Sequence, residues 1–351
     1  MLVFTNRAVT GTGSSAKYTA SFAPGSTNLS FAHAKTNAQR KWTLGNLASD
    51  ATDAVSIDAL VPVFGSNRPV LVYIHGNNNS PVTCFERCAL LDKMYGVEVV
   101  GFSWPSEGRL SDGSDLPGAH NDDPGNEDDL ANVEESNRRE GKIVKKARRY
   151  RQAKNNAQDS VDALARFLRL VSIARLQANA QSFSVAAHSL GAHYLQYTLE
   201  IEAAREALGV AFNVALLAPC VRAAGHKDWL EKLHPKGKVF VTYNEGDSVL
   251  FGAYIVDGSQ LKLGTDPGSS LVQNGIVRYV SFTSSPVGFG GHGYFVYSRL
   301  PKKTKKLFSR VFTSLTDLEG GEHPRKVYQL GCDEDGVTCY VGAKVDTGPG
   351  K

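Results

Sequence analysis

Residues 182–196 read SFSVAAHSLGAHYLQ. The opening residues are apolar or small, as in a buried strand. From Ala192 the apolar positions Leu195, Leu199 and Ala203 step by three and four, as on one face of a helix over 190–206. The segment therefore predicts a strand that turns directly into a helix, with Ser189 on the turn. So sharp a turn lifts the hydroxyl above the sheet edge and strains the backbone. It also needs small residues two before and two after, where strand and helix close on one another. Ala187 and Gly191 stand there. The amide of Leu190, at the start of the helix, points to where negative charge would develop beside the hydroxyl. Ser189 is thus a candidate nucleophile. The plainer reading is a serine that caps the helix.

Six further runs resemble buried strands: 2–5 (LVFT), 69–76 (PVLVYIHG), 97–104 (VEVVGFSW), 212–219 (FNVALLAP), 238–247 (KVFVTYNEGD) and 276–285 (IVRYVSFTSS). Most are continuously apolar rather than alternating, which suits strands covered on both faces of a parallel sheet. Helical patterns lie at 156–176, where Val161, Leu164, Leu168 and Val171 share a face, and at 301–316, which opens with Pro301 and a cluster of lysines. Strands alternating with helices predict an α/β fold. A chain of 351 residues, 42% hydrophobic, has ample material for a core, and its net charge of +4 gives no footprint for nucleic acid. No run approaches the length of a membrane-spanning helix, and the N-terminus lacks a secretory pattern, so the expected location is cytoplasmic. The five cysteines have no zinc-site spacing and read mostly as buried reduced thiols.

Two regions break the rhythm. Residues 107–135 hold ten acidic side chains and one arginine, while 138–154 hold nine basic ones and one glutamate. Residues 107–149 read as an insertion in a main domain over 1–317: an acidic loop, then a basic helix with a narrow stripe of Ile143, Val144, Ala147 and Tyr150. It reads as a solvated surface excursion, a lid over the site, or a helix that binds a membrane or an anion. Residues 318–351 read as a C-terminal extension. KVYQLGCDEDGVTCYVG suggests a hairpin turning at Asp335-Gly336, in a register that sets Cys332 opposite Cys339 and makes a cross-strand disulfide conceivable.

A serine nucleophile needs a base, and the base needs an orienting carboxylate. On an elbow of this type the acid and then the histidine follow the serine along the chain. Asp247 ends the run VFVTYNEGD, at the C-terminal end of a strand, where open α/β sheets keep their working residues. Glu245 is its local competitor; Asp257 and Asp266 are less well placed. Among the later histidines, His193 belongs to the elbow helix, His226 and His234 precede the acid, and His323 lies in the tail. His292, in the glycine-rich PVGFGGHGYF, is the candidate base. VLVYIHGNNNS runs from a strand into His-Gly, so the amide of Asn77 is the expected second oxyanion donor, with His75 structural and Asn78 a substrate-binding candidate. Trp104, Phe289 and Tyr294 are candidates to line an apolar acyl pocket, or else core or surface residues.

The segments VFTNR (3–7), YIHGNNNS (73–80), GFSWPS (101–106), AHSLGAHYL (187–195), NEGDSVL (244–250) and GHGYF (291–295) together resemble the α/β-hydrolase superfamily. More closely, they are similar to an uncharacterised bacterial family of serine-hydrolase-like proteins, over roughly residues 1–315 with the insertion excluded. That resemblance implies an α/β-hydrolase fold, a mostly parallel sheet with helices on both faces. It also implies a Ser189–Asp247–His292 triad and an oxyanion hole of the Asn77 and Leu190 amides. The expected chemistry is hydrolysis of a small-molecule or lipid-like ester with no metal or cofactor. A thioesterase, lipase or amidase would use the same residues, and a non-catalytic binding or scaffold protein is the alternative of another class.

Overall fold

All seven apolar runs become strands. The computed structural model describes residues 1–117, 140–285, 287–313, 330–332 and 337–341, with the backbone alone at 140–145, 289, 303 and 330–332. The strands are β1 (Leu2–Thr5), β2 (Arg7–Thr10), β3 (Lys17–Phe22), β4 (Ser30–Thr36), β5 (Trp42–Ala48), β6 (Val70–Ile74), β7 (Glu98–Ser103), β8 (Phe183–His188), β9 (Val214–Leu217), β10 (Val239–Tyr243), β11 (Val277–Ser281), β12 (Leu330–Cys332) and β13 (Thr338–Val341). The helices are α1 (Asp53–Phe64), α2 (Pro81–Tyr95), α3 (Glu140–Gln158), α4 (Val161–Gln177), α5 (Leu190–Thr198), α6 (Glu202–Gly209), α7 (His226–Leu230), α8 (Ser248–Val256) and α9 (Lys302–Phe312).

Eleven of the described strands form one sheet, ordered β12-β13-β11-β10-β9-β8-β6-β7-β1-β4-β5, while β2 and β3 pair on their own. From β13 across to β1 every neighbouring pair is parallel; β12 at one margin and β4 and β5 at the other run antiparallel. Strands β6, β8, β9, β10 and β11 are buried at every residue, as their unbroken apolar runs require. Helices α2 and α9 pack together through Tyr95, Phe308 and Phe312, and α4 packs against α1, α5 and α6. This is the α/β-hydrolase fold, a mostly parallel sheet layered with helices.

Local chemistry sets the helix ends. Ser80 caps α2 by accepting from the Thr83 amide at 3.2 Å, Pro81 opens the helix, and Gly96 closes it in the left-handed conformation at φ 67°. Each fully buried Leu or Phe on α4, among them Leu164, Phe167, Leu168 and Leu170, contributes about 1.5–3 kcal/mol of burial.

One sequence expectation changes, two strands were not foreseen, and the tail strands pair in the expected register. The predicted helix over 190–206 is two helices, α5 and α6. The α5 ladder ends just past Thr198, with the Leu199 amide donating to the Leu195 carbonyl at 3.1 Å, and the chain restarts as a helix at Glu202. The antiparallel strands β4 and β5 carry no continuous apolar signal, because β5 at the sheet edge is only half-buried. Of the tail, β12 and β13 pair antiparallel with Cys332 opposite Cys339, and β13 extends the central sheet beside β11. Cys339 is disulfide-bonded. Asp335 and Gly336, the expected turn, lie outside the described residues, as do 118–139 of the insertion.

Helix α3, which begins within the insertion, is fastened to the body beyond it. Tyr150 is buried, with its hydroxyl 3.2 Å from Cys220 Sγ and 3.0 Å from Asp257 Oδ2, and Asn156 Nδ2 donates to the carbonyls of Pro105 and Arg109 at 2.9 and 3.0 Å. Among the described residues no helix is long and apolar enough to cross a membrane.

Candidate active site

The sheet order makes a crevice. From β6 the chain goes to β7 on one side, then returns through α3 and α4 to β8 on the other. The C-terminal ends of β6 and β8 therefore mark a switch point in the strand order, the place where open α/β sheets bind ligands. Ser189 and the His75–Asn79 loop sit on either side of it. The register pairs Ile74 with Ala187, the residues next before His75 and His188.

Ser189 has φ 51° and ψ −119°, a conformation that non-glycine residues rarely adopt and that persists only where the surroundings impose it. Its amide donates to the Leu217 carbonyl at 2.9 Å, and its carbonyl accepts from the Cys220 amide at 3.0 Å. The close approach is visible in the glycines. A Cβ at Gly76 would lie 2.9 Å from Ser189 Cβ, and one at Gly191 would lie 2.5 Å from the His75 carbonyl oxygen. Ser189 precedes the first turn of α5, whose amides carry positive potential.

Asp247 and His292 meet although they stand after different strands. His292 Nδ1 donates to Asp247 Oδ2 at 2.7 Å, and both side chains are buried. The other carboxylate oxygen, Oδ1, caps α8 by accepting from the Leu250 amide at 2.9 Å. The carboxylate is thus fixed from behind while its second oxygen faces the imidazole. Asn244 Nδ2 donates to the Gly291 carbonyl at 2.9 Å and Ser248 Oγ to that of Gly290 at 3.1 Å, so residues flanking the acid also hold the loop that bears the histidine. Gly291 is at φ 67°, and a Cβ there would come within 2.4 Å of Asn244 Nδ2. The His292 ring lies 4.6 Å from that of His188, the residue just before the serine.

Among the described residues the amides of Asn77 and Leu190 make no hydrogen bond. The next two amides in the loop are occupied: Asn78 donates to the Ser106 carbonyl at 2.8 Å and Asn79 to Ser106 Oγ at 2.9 Å. His75 is structural, as expected. Its Nε2 accepts from the Trp104 amide at 3.1 Å, and its ring stacks on Trp104 at 5.6 Å.

Of the acyl-pocket candidates, two take the core alternative. Trp104 is fully buried, with its indole N–H donating to the His75 carbonyl at 2.8 Å, and Tyr294 is fully buried, with its hydroxyl 2.6 Å from Thr242 Oγ1 and its ring stacked on Phe282. Both support the site from the core, because their large aromatic areas are worth more in apolar packing than at an open wall. The Phe289 side chain and His323 lie outside the described residues. The rejected competitors are elsewhere engaged or exposed. Asp257 pairs with Lys154 at 3.1 Å and with Lys262, Glu245 and Asp266 are exposed, and His226 Nε2 is 2.7 Å from the Tyr279 hydroxyl. His193, on α5, is pushed down to about 3 by burial, with Lys154 and Lys262 adding to it.

Sequence reasoning did not find His188, Asn244 or Ser106. A histidine ending a fully buried strand was the available signal for the first. The others act through hydrogen bonds to backbone that no local pattern announces.

A parallel sheet with a strained serine between strand and helix at its switch point defines an α/β hydrolase. The chain belongs to the DUF900 family, described as alpha/beta hydrolases of unknown function, whose model matches residues 63–289. That span includes Asn77, Ser189 and Asp247 and stops just before His292. Neither the curated proteins nor the solved structures gave a match.

Proposed function

We propose that the protein is a serine hydrolase that cleaves carboxylic esters. The observation that carries the reading is the His292–Asp247 hydrogen bond of 2.7 Å, joining groups from the loops after two separate strands, with the His292 ring 4.6 Å from that of His188, the neighbour of the strained serine. In this reading His292 Nε2 takes the Ser189 proton as Oγ attacks the ester carbonyl carbon. Asp247 holds the proton on Nδ1, so the other ring nitrogen is the base, and it steadies the imidazolium that forms. The amides of Asn77 and Leu190 receive the oxyanion, each such donor being worth roughly 3 kcal/mol in the transition state. Collapse breaks the carbon–oxygen bond to the leaving alkoxide, which takes the proton back from His292. Water then attacks the acyl-enzyme by the same route, releasing the carboxylic acid and restoring Ser189.

The test is covalent. A fluorophosphonate is expected to modify Ser189, as read by mass spectrometry of the peptide, and Ser189→Ala is expected to fold and lose hydrolysis of p-nitrophenyl esters. An unmodified Ser189, or a Ser189→Ala enzyme with full turnover, removes the serine from the chemistry. A series of esters of rising acyl length then sorts short-chain from lipid-like substrates.

A further inference from the structure

Arg7 is wholly buried, and its guanidinium works far from its own strand. It donates to both Glu107 oxygens at 2.8 and 2.7 Å, to the Thr19 carbonyl at 3.1 Å, to the Asn79 carbonyl at 3.0 Å, and to the Trp104 carbonyl. Only a planar fork of donors can serve so many acceptors at once. Its partners belong to three segments: β3, the loop after β7, and the loop that holds Asn77. Ser106, next to Glu107 in the chain, takes the amides of Asn78 and Asn79. Asn79 Nδ2 in turn donates to the Asn77 carbonyl at 2.7 Å. Of the three consecutive amides at 77–79, the one left for a ligand is that of Asn77.

We propose that the Arg7–Glu107 pair positions residues 77–79, clamping the Asn77 amide at the oxyanion site; this rests on the reading that Asn77 receives the oxyanion. The fold by itself gives no need for such a pair. Taking two charges out of water is costly, and apolar residues of similar volume are often as stable or more so. Asn78 turns the loop at φ 52°, a left-handed conformation that asparagine tolerates. The clamp fixes that turn in place by gripping the Asn79 carbonyl on one side and residues 104–107 on the other. Arg7 and Glu107 touch no reacting atom here; they act through the loop.

The deciding variant is the double substitution Arg7→Met with Glu107→Met, which removes both charges and keeps apolar volume. The expected result is a folded protein with a lower urea midpoint, since the Thr19, Asn79 and Trp104 carbonyls each lose a donor, together with kcat for p-nitrophenyl butyrate lower by about 10²-fold, KM within about threefold, and faster amide hydrogen exchange in the peptide 72–80. A folded double variant with wild-type kcat and wild-type exchange overturns the proposal. If the double variant does not fold, Glu107→Gln takes its place. It keeps an oxygen for Arg7 and is expected to shift kcat and exchange the same way by a smaller factor; no change in either again overturns it. Fluorophosphonate labelling of the wild type separates the two readings. An unlabelled Ser189 sinks the nucleophile, while faster exchange at 72–80 in the variant still upholds the clamp. A labelled wild type with an unaffected variant sinks the clamp alone.

Discussion

Replacing Gly191 with alanine places a methyl group where α5 leans on the end of β6. The new carbon would lie 2.5 Å from the His75 carbonyl oxygen and 2.7 Å from that of Ile74, whereas ordinary contact begins at 3.4 Å. The overlap, roughly 0.7–0.9 Å against each oxygen, cannot be relieved by a rotamer, since both atoms are backbone. Overpacking by a methylene costs about 1–3 kcal/mol, and a clash with two fixed carbonyls belongs at the upper end, about 3 kcal/mol. A domain with about 5–15 kcal/mol of stability stays folded after such a loss, with Tm lower by roughly 4 °C for a chain of this length. Relief requires α5 to lift from β6, and that draws the Leu190 amide away from the Asn77 amide. Loss of one oxyanion donor costs about 10²–10³ in kcat. The assays are urea unfolding followed by tryptophan fluorescence and hydrolysis of p-nitrophenyl butyrate. Gly96→Ala is the control, because Gly96 is at φ 67° and a methyl group there would have nothing within 4 Å of it. It is expected to cost about 1–2 kcal/mol from backbone strain alone and to keep full turnover. A Gly191→Ala protein no less stable than the Gly96→Ala control, with wild-type turnover, refutes the claim that close strand–helix approach sets the elbow.

Asp247→Asn is expected to keep the cap on α8 and the fold while lowering kcat by about 10⁴, because the amide no longer favours the productive histidine tautomer; steady-state kinetics beside a Tm measurement checks this, and wild-type kcat would remove the acid. Stability is expected to fall in acid through His193. Its folded pKa, pushed down to about 3 by burial, lies below the ordinary 6.5, so above pH 6.5 the ring is neutral in both states. Below that the unfolded chain takes up a proton that the folded protein refuses until near pH 3, and the contribution drains away across the interval. His193→Gln should therefore narrow the difference between urea midpoints at pH 7.5 and pH 4.5; an equal difference in both proteins contradicts the assignment. The Cys88 thiol is pushed up by its contact with Cys84 and by burial, and Cys220 by burial. Both are expected to resist iodoacetamide at pH 8 in the native protein and to react in urea, as mass spectrometry of the peptides would show.

The fold was legible wherever strands are covered on both faces. Continuous apolar runs such as VLVYI and VFVTY announce themselves, and β6 and β10 form where those runs lie. The elbow was legible too, since a strand, a serine and a helix with small neighbours form a local pattern. The half-buried β5 was not legible, because an edge strand shows water one side and loses the signature. The helix break after Thr198 also escaped, since the apolar period runs on through it at Leu199 and Ala203.

The amino-acid order by itself determined the parallel core, the turn that strains Ser189, and the place of Asp247 and His292 in loops that follow strands. These follow from hydrophobic period and turn chemistry, which act over a few residues. Tertiary structure alone decided that Asp247 reaches His292, that Trp104 and Tyr294 are core rather than pocket, and that Arg7 grips a loop some seventy residues away at Asn79. Such meetings depend on the order in which strands pair. That order is set by the free energy of the whole packed sheet, so no single segment records it.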